Sequence, residues 1–287
     1  MDFAIFLQAT IDALMISMSY ILVALGLTLM FGILRVFNFA HGEVYMIGGF
    51  VAYYFYGQFN MNYFITLVLS LLIGGILGLI FERLIFRPFR ERPFNGFIAS
   101  LGLIWILQTF AATSFGVLDK SVPAVFPGVI RALGVSLSAE RLGALTIGLF
   151  MGLAMYLLIQ RTRTGKALRA VAQDREAASL QGVNVNRMTA FAFALGSSLA
   201  AAVGAFMSSI YLVNPFIGHM PVVKAFIVII LGGMGSLPGA VLGGIILGFI
   251  EGFTAIYFNI GTVSTINFVV VIFILLVRPK GLLGREE

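Results

Sequence analysis

Few residues in this chain could carry chemistry, and their types narrow what that chemistry is. Cysteine is absent, which removes thiolate nucleophiles and disulfides. Two histidines, His41 and His219, are too few for a His-based metal centre. No Gly-x-x-x-x-Gly-Lys-Ser/Thr stretch is present to cradle phosphates. The expectation is no catalytic group, no cofactor site and no metal site. Four constellations remain. Asn38, His41 and Glu43 gather around Gly42 between two apolar stretches. Gly232, Gly233, Gly235 and Gly239 interrupt an apolar run, with Ser236 and Pro238 among them. Glu251 is the one charged residue between 225 and 277. Residues 161–187 hold six basic and two acidic side chains, the longest strongly charged stretch of the chain.

Each constellation has a functional and a structural reading. A polar group in an apolar run is a candidate for a transport pathway, because burying it unpaired is costly. Asn38, His41, Gly42 and Glu43 precede a segment of about 14 residues, which covers only ~21 Å of a ~30 Å hydrocarbon core. The helix they open can therefore begin inside a membrane, where broken helices place polar groups, or they cap an interfacial turn. The Gly232–Gly239 stretch makes either a hinge or a close helix contact. Glu251 lines a pathway, bonds a neighbouring helix or sits at a solvated end. Residues 161–187 read as a helix over 165–181, with Thr164 at its start and Gly182 at its stop. Ala170, Ala177 and Ala178 allow close approach of another backbone, while Arg169, Arg175 and Glu176 can fix register, as a helix docking into a partner's groove requires. The alternative is a solvated basic loop.

These residues need elements to position them, and composition says which. Hydrophobic residues make up 60% of the 287 positions and charged residues 10%, against about 25% charged in soluble domains. A soluble enzyme or a disordered chain is excluded on that basis. Charge-free runs at 13–34, 44–81, 93–118, 142–160, 188–223, 225–250 and 252–277 predict an all-α polytopic membrane protein in one domain over 1–287. The run 44–81 divides at 57–62, 188–223 turns at Asn214-Pro215, and the short segment 222–231 counts as a half-length crossing. About eight or nine crossings result. Met1 to Leu7 lacks a basic start, so no cleavable signal peptide is expected.

Basic residues set the threading. Fourteen of the 18 lysines and arginines fall at Arg35, 83–92, 161–187 and 278–285. Putting them inside predicts an external N-terminus and a cytoplasmic C-terminus. Lys120, Arg131, Arg141 and Lys224 are then external, 118–141 is an external loop and 161–187 a cytoplasmic one. The net charge of +6 thus reflects topology and not nucleic-acid binding. The junctions at 38–42 and 235–239 lie on one side, and form an internal echo if the chain is duplicated.

The chain resembles the branched-chain amino-acid permease family of ABC importers (LivH type). The likeness rests on Glu176-Ala177-Ala178-x-x-x-Gly182, which looks like the coupling motif of importer permeases. Supporting stretches are Gly26 to Gly32, Asn38-Phe39-Ala40-His41-Gly42-Glu43, Thr162 to Ala170 and Gly232 to Gly239. The Ile-x-Leu-Pro tail of the general motif is absent after Gly182. The resemblance implies a transport subunit without its own ATPase, paired with a second permease, two cytoplasmic ATPases that bind ATP, and an external substrate-binding protein. It assigns coupling to the segment around Arg169–Gly182. Import of branched-chain or related amino acids by alternating access is the leading expectation. A carrier driven by an ion gradient, or an importer of short amides or urea, is the alternative.

Overall fold

A computed structural model describes residues 3–132 and 135–284. Met1, Asp2 and Arg285, used above for the leader and charge readings, lie outside the described residues. The helices follow the charge-free runs closely. They are α1 (Phe3–Leu34), α2 (His41–Val51, continued by a π-helical turn Ala52–Gln58), α3 (Tyr63–Phe81) and α4 (Pro93–Phe115). After a hairpin come α5 (Ala139–Arg161), α6 (Arg163–Gln173), α7 (Arg175–Leu180), α8 (Val185–Met207), α9 (His219–Gly232), α10 (Leu237–Thr254) and α11 (Ile260–Val277). Among the described residues, six helices are long and apolar enough to cross a membrane, and His219–Gly232 and Gly261–Ile274 are shorter apolar helices.

The expected all-α chain is corrected at one place. Within 118–141, strands β1 (Val129–Ala132) and β2 (Val135–Ser138) pair antiparallel, with Val129 opposite Ser138. Loop backbone there satisfies its polar groups in a ladder instead of a helix. A second tie holds this segment: Lys120 and Val213 exchange backbone hydrogen bonds of 2.9 and 2.8 Å.

Burial separates an inner layer from an outer one. The most apolar windows of α1 and α8 are each 72% buried, against 22% for α4 and 28% for α5. Large apolar side chains such as Trp105, Phe110 and Phe150 are exposed on the outer helices, where a bilayer and not water would cover them.

The inner layer is two triplets packed crosswise. α1, α2 and α3 form one, and α8, α9 and α10 the other; each is a long buried helix, a short helix opening at a histidine, a break and a third helix. α1 packs along α10, and α8 packs along α3. Gly26 and Gly196 meet where α1 crosses α8: a Cβ on either would lie 2.8 or 2.7 Å from the other's carbonyl oxygen. Gly42 and Gly218, at the starts of α2 and α9, do the same, each backbone occupying the space of the other's Cβ. The two junctions paired in the sequence reading, 38–42 and 235–239, do not occupy matching places in the element order. By element order the counterpart of 38–42 is the turn before His219, and that of 235–239 is the break at 59–62.

Candidate functional site

The start of α2 is set by the chain before it. α1 ends at Leu34, and Arg35 takes a φ of +53°, which turns the chain back along α1. Asn38 then donates to Met30 Sδ at 3.6 Å, and His41 Nε2 lies 3.0 Å from where a Cβ on Gly26 would stand. Gly26 is about two turns short of the end of α1, so α2 begins roughly 12 Å inside the bundle. Asn38, His41 and Glu43 are all buried. Glu43 accepts from Gln108 of α4 at 3.0 Å. The His41 ring lies by the Val23 carbonyl, yet no hydrogen bond of normal geometry reaches either ring nitrogen. Asn38 Oδ1 and Glu43 Oε2 also lack a protein partner. An unpaired buried polar atom costs on the order of 1–3 kcal/mol, so this cluster is not explained by packing alone.

Gly232–Gly239 forms a tight turn between α9 and α10. Gly233 and Gly235 have φ of +105° and +80°, a region that side chains disfavour. Ser236 caps α10 by accepting from Gly239 N at 3.1 Å. Gly232 and Gly239 stack backbone on backbone. The segment after α11 closes this turn, as Leu282 N and Leu283 N donate to the Leu231 and Gly232 carbonyls at 2.8 and 2.9 Å.

Glu251 bonds its neighbours: its Oε2 accepts from Lys224 of α9 at 2.8 Å and from Asn267 of α11 at 3.0 Å. Lys224, expected on the external side, is buried, its side chain 4% exposed. The carboxylate explains how: a buried ammonium is tolerated when paired. Asp12 is paired with Arg141 across α1 and α5. Glu82 is fully buried and pairs with Arg87 at 2.7 Å and Arg90 at 3.4 Å, not with the adjacent Arg83.

The segment 161–187 corrects the single-helix reading. It breaks at Asp174 into α6 and α7, and Thr162, not Thr164, caps α6 by accepting from Gly165 N at 3.0 Å. Asp174 has extended φ,ψ of −151° and 116° and caps α7, accepting from Glu176 N and Ala177 N at 2.9 and 3.0 Å. α7 stops at Gly182, whose φ of +81° suits a glycine terminus. Side chains are sorted by this geometry. Ala178 is buried against the protein, whereas Glu176, Ala177 and Leu180 point out. Leu180 is 86% exposed. Sequence reasoning missed it; the signal was a large apolar side chain between Ser179 and Gln181.

Arg169 bonds Gln160 at the end of α5. Arg175 is half-buried, and burial lowers its guanidinium pKa, with Arg90 and Arg35 lowering it further by repulsion. It remains charged at neutral pH, since arginine starts above 12. Arg90 also donates to Asn186 at the start of α8, at 2.5 Å. Ala172 of α6 and the Gly235 turn both lie within 4 Å of a Cβ placed on Gly32. The end of α1 at Gly32 therefore lies beside both α6 and the α9–α10 turn. Removing the elbow's cap by Asp174→Ala should cost ~1 kcal/mol locally. Tryptic cleavage at Arg175 in open membrane vesicles should then quicken about fivefold, as the opened fraction rises, with Asp174→Asn near the parent rate.

Comparison with known proteins gives a consistent picture. A family model described as the permease component of the branched-chain amino acid transport system matches residues 9–278. The high-affinity branched-chain amino acid transport system permease protein LivH of Escherichia coli is 36% identical over 301 aligned residues, covering 100% of this chain and 98% of that protein. BraD of Pseudomonas aeruginosa, of the same description, is 33% identical, with 98% and 97% covered. The fructose import permease protein FruG of Bifidobacterium longum is 24% identical over 78% of this chain and 69% of its own. No solved structure matches the chain significantly.

Proposed function

Because the chain belongs to the branched-chain amino acid permease family, a family of membrane-embedded transport subunits, we propose that it forms one half of the membrane channel of an ATP-driven ABC importer. It takes up branched-chain or related amino acids by alternating access. A second permease, two cytoplasmic ATPases and an external binding protein complete the complex. ATP is bound by the ATPases, and this chain holds no cofactor. The N-terminus is outside, the C-terminus inside, and eight or nine crossings result when α2, α9 and α11 are counted. In that threading α1 and α8 run in opposite directions, so the two triplets are inverted repeats.

The observation that carries this reading is the match over the whole chain to permeases of branched-chain transport systems. The geometry of the elbow supports it. In this reading Arg169, Arg175, Glu176, Ala177, Ala178 and Gly182 shape α6–α7, and the outward face of α7 meets an ATPase. Movement there reaches α1 and the α9–α10 turn through Gly32, Ala172 and Gly235. Asn38, His41, Gly42 and Glu43 meet water or substrate where α2 begins, and Gly232, Gly233, Gly235 and Gly239 form the hinge. Selectivity can reside largely in the delivering protein, which fits a shared architecture with relatives named for fructose import.

The test is leucine uptake by cells carrying the complete complex. Uptake should persist in an uncoupler while ATP is held constant, and stop when the partner ATPases carry an inactivated phosphate-binding loop. Uptake that collapses with the ion gradient while ATP persists would falsify the importer reading in favour of a gradient-driven carrier.

A further inference from the structure

A cavity of about 400 Å³ lies between α1, α2, α8, α9 and α10. It occupies the half of the bundle remote from the elbow, since Ile16 to Val23 of α1 line it while α6 meets α1 near Gly32. Its size falls in the range of about 300–1,000 Å³ typical of small-molecule sites. Tyr45, Met207 and Ile217 give it apolar walls, with Tyr20 beside them. Tyr211, Phe216 and Met220, each about half exposed, stand at its mouth. Two charged side chains face it, Lys224 and Glu251.

We propose that this cavity is a transit site for a zwitterionic amino acid with an apolar side chain, Lys224 receiving the ligand's carboxylate and Glu251 its ammonium. The proposal rests on the importer reading for its substrate class. A zwitterion entering an apolar space needs both charges matched, because an unpaired buried charge is expelled. One cation and one anion 2.8 Å apart are the smallest set that does this without changing the net charge. An ammonium has three donors and a carboxylate about four acceptor sites. The pair can therefore part and take the ligand's two ends between its own. Asn267 steadies Glu251 from behind with its 3.0 Å bond, so the carboxylate keeps a partner when Lys224 turns to the ligand. The resident pair closes again on release. An aliphatic side chain fits the apolar wall.

The chain contains no cysteine, so single cysteines report on this cavity directly. Ile217→Cys would be introduced, with Met220→Cys as a second reporter, in membranes holding the whole complex. Labelling of this chain by a small methanethiosulfonate reagent is the readout. Leucine should slow labelling at least fivefold. Leucinamide, which lacks the carboxylate, and 4-methylpentanoate, which lacks the ammonium, should slow it less than twofold. Adding Glu251→Gln should remove the protection by leucine and cut leucine uptake at least tenfold. Retention of the ATPases on the tagged permease checks that the Glu251→Gln complex has assembled. No protection by leucine at either reporter, or equal protection by the two analogues, overturns the site. ATP-driven uptake without protection leaves the importer reading standing. Protection with uptake that follows the ion gradient keeps the site and sinks that reading.

Discussion

Leucine uptake should fall at least tenfold when Gly218 is replaced by alanine, a change of one methyl group. Gly218 stands just before α9, and Gly42 is the second residue of α2. A Cβ on Gly218 would fall on the Gly42 carbonyl oxygen, and one on Gly42 would fall on the Gly218 carbonyl. Overpacking usually costs ~1–3 kcal/mol, because side chains near the intruder can shift rotamer. Here the obstacle is backbone on both sides, so the helices themselves must separate. The contact also holds Val222, 3.0 Å from a Cβ on Gly42, and the turn carrying His41 and Glu43. Gly42→Ala should therefore act like Gly218→Ala. The double variant should be little worse than either single, since one separation relieves both clashes. Thermal unfolding of the purified complex, followed beside uptake, separates a lost fold from a lost pathway. Gly102→Ala is the control, for nothing lies within 4 Å of that Cβ, and it should leave both readouts unchanged. A Gly218→Ala complex with parental uptake would show that the two short helices do not need this contact.

The charge-free runs placed the long helices well, for a plain reason. A helix facing lipid or a lipid-covered bundle cannot afford a bare charge, so charge marks the ends. What escaped was any feature settled by contact between distant residues. The burial of Lys224 makes sense only once Glu251 is seen beside it on the next helix. The partner of Gly42 is Gly218, and neither glycine carries a local mark of that pairing. The paired strands 129–132 and 135–138 are too short to stand out against long apolar runs. The break at Asp174 was partly legible. Alanine, arginine, glutamine and glutamate on both sides favour one helix by propensity, but aspartate is also a preferred cap, and Asp174 takes that role. The polar cluster at 38–43 was visible as residue types. Its depth was not, because depth depends on the reversal at Arg35.

Leu180→Asp should cut uptake at least tenfold while leaving the stability of the isolated permease unchanged. Leu180 closes α7 with 86% of its surface exposed, so its removal disturbs no packing, and surface changes of that kind stay within about 0.5 kcal/mol. If its side chain fills a groove on an ATPase, burial there contributes ~1.5–3 kcal/mol, which is a tenfold loss of association or more. Aspartate adds the cost of desolvating a charge in the groove. Retention of the ATPases on the tagged permease should drop in step with uptake, and Leu180→Met, which keeps volume and apolarity, should restore most of both. A solvated loop that only sets topology predicts no change from either variant. Contact with the lipid interface is the remaining reading, and Leu180→Trp separates it from docking. An interface accepts tryptophan readily, so uptake would hold. A groove shaped for leucine beside the small Ala177 has no room for an indole, so docking predicts that uptake falls with Leu180→Trp as it does with Leu180→Asp.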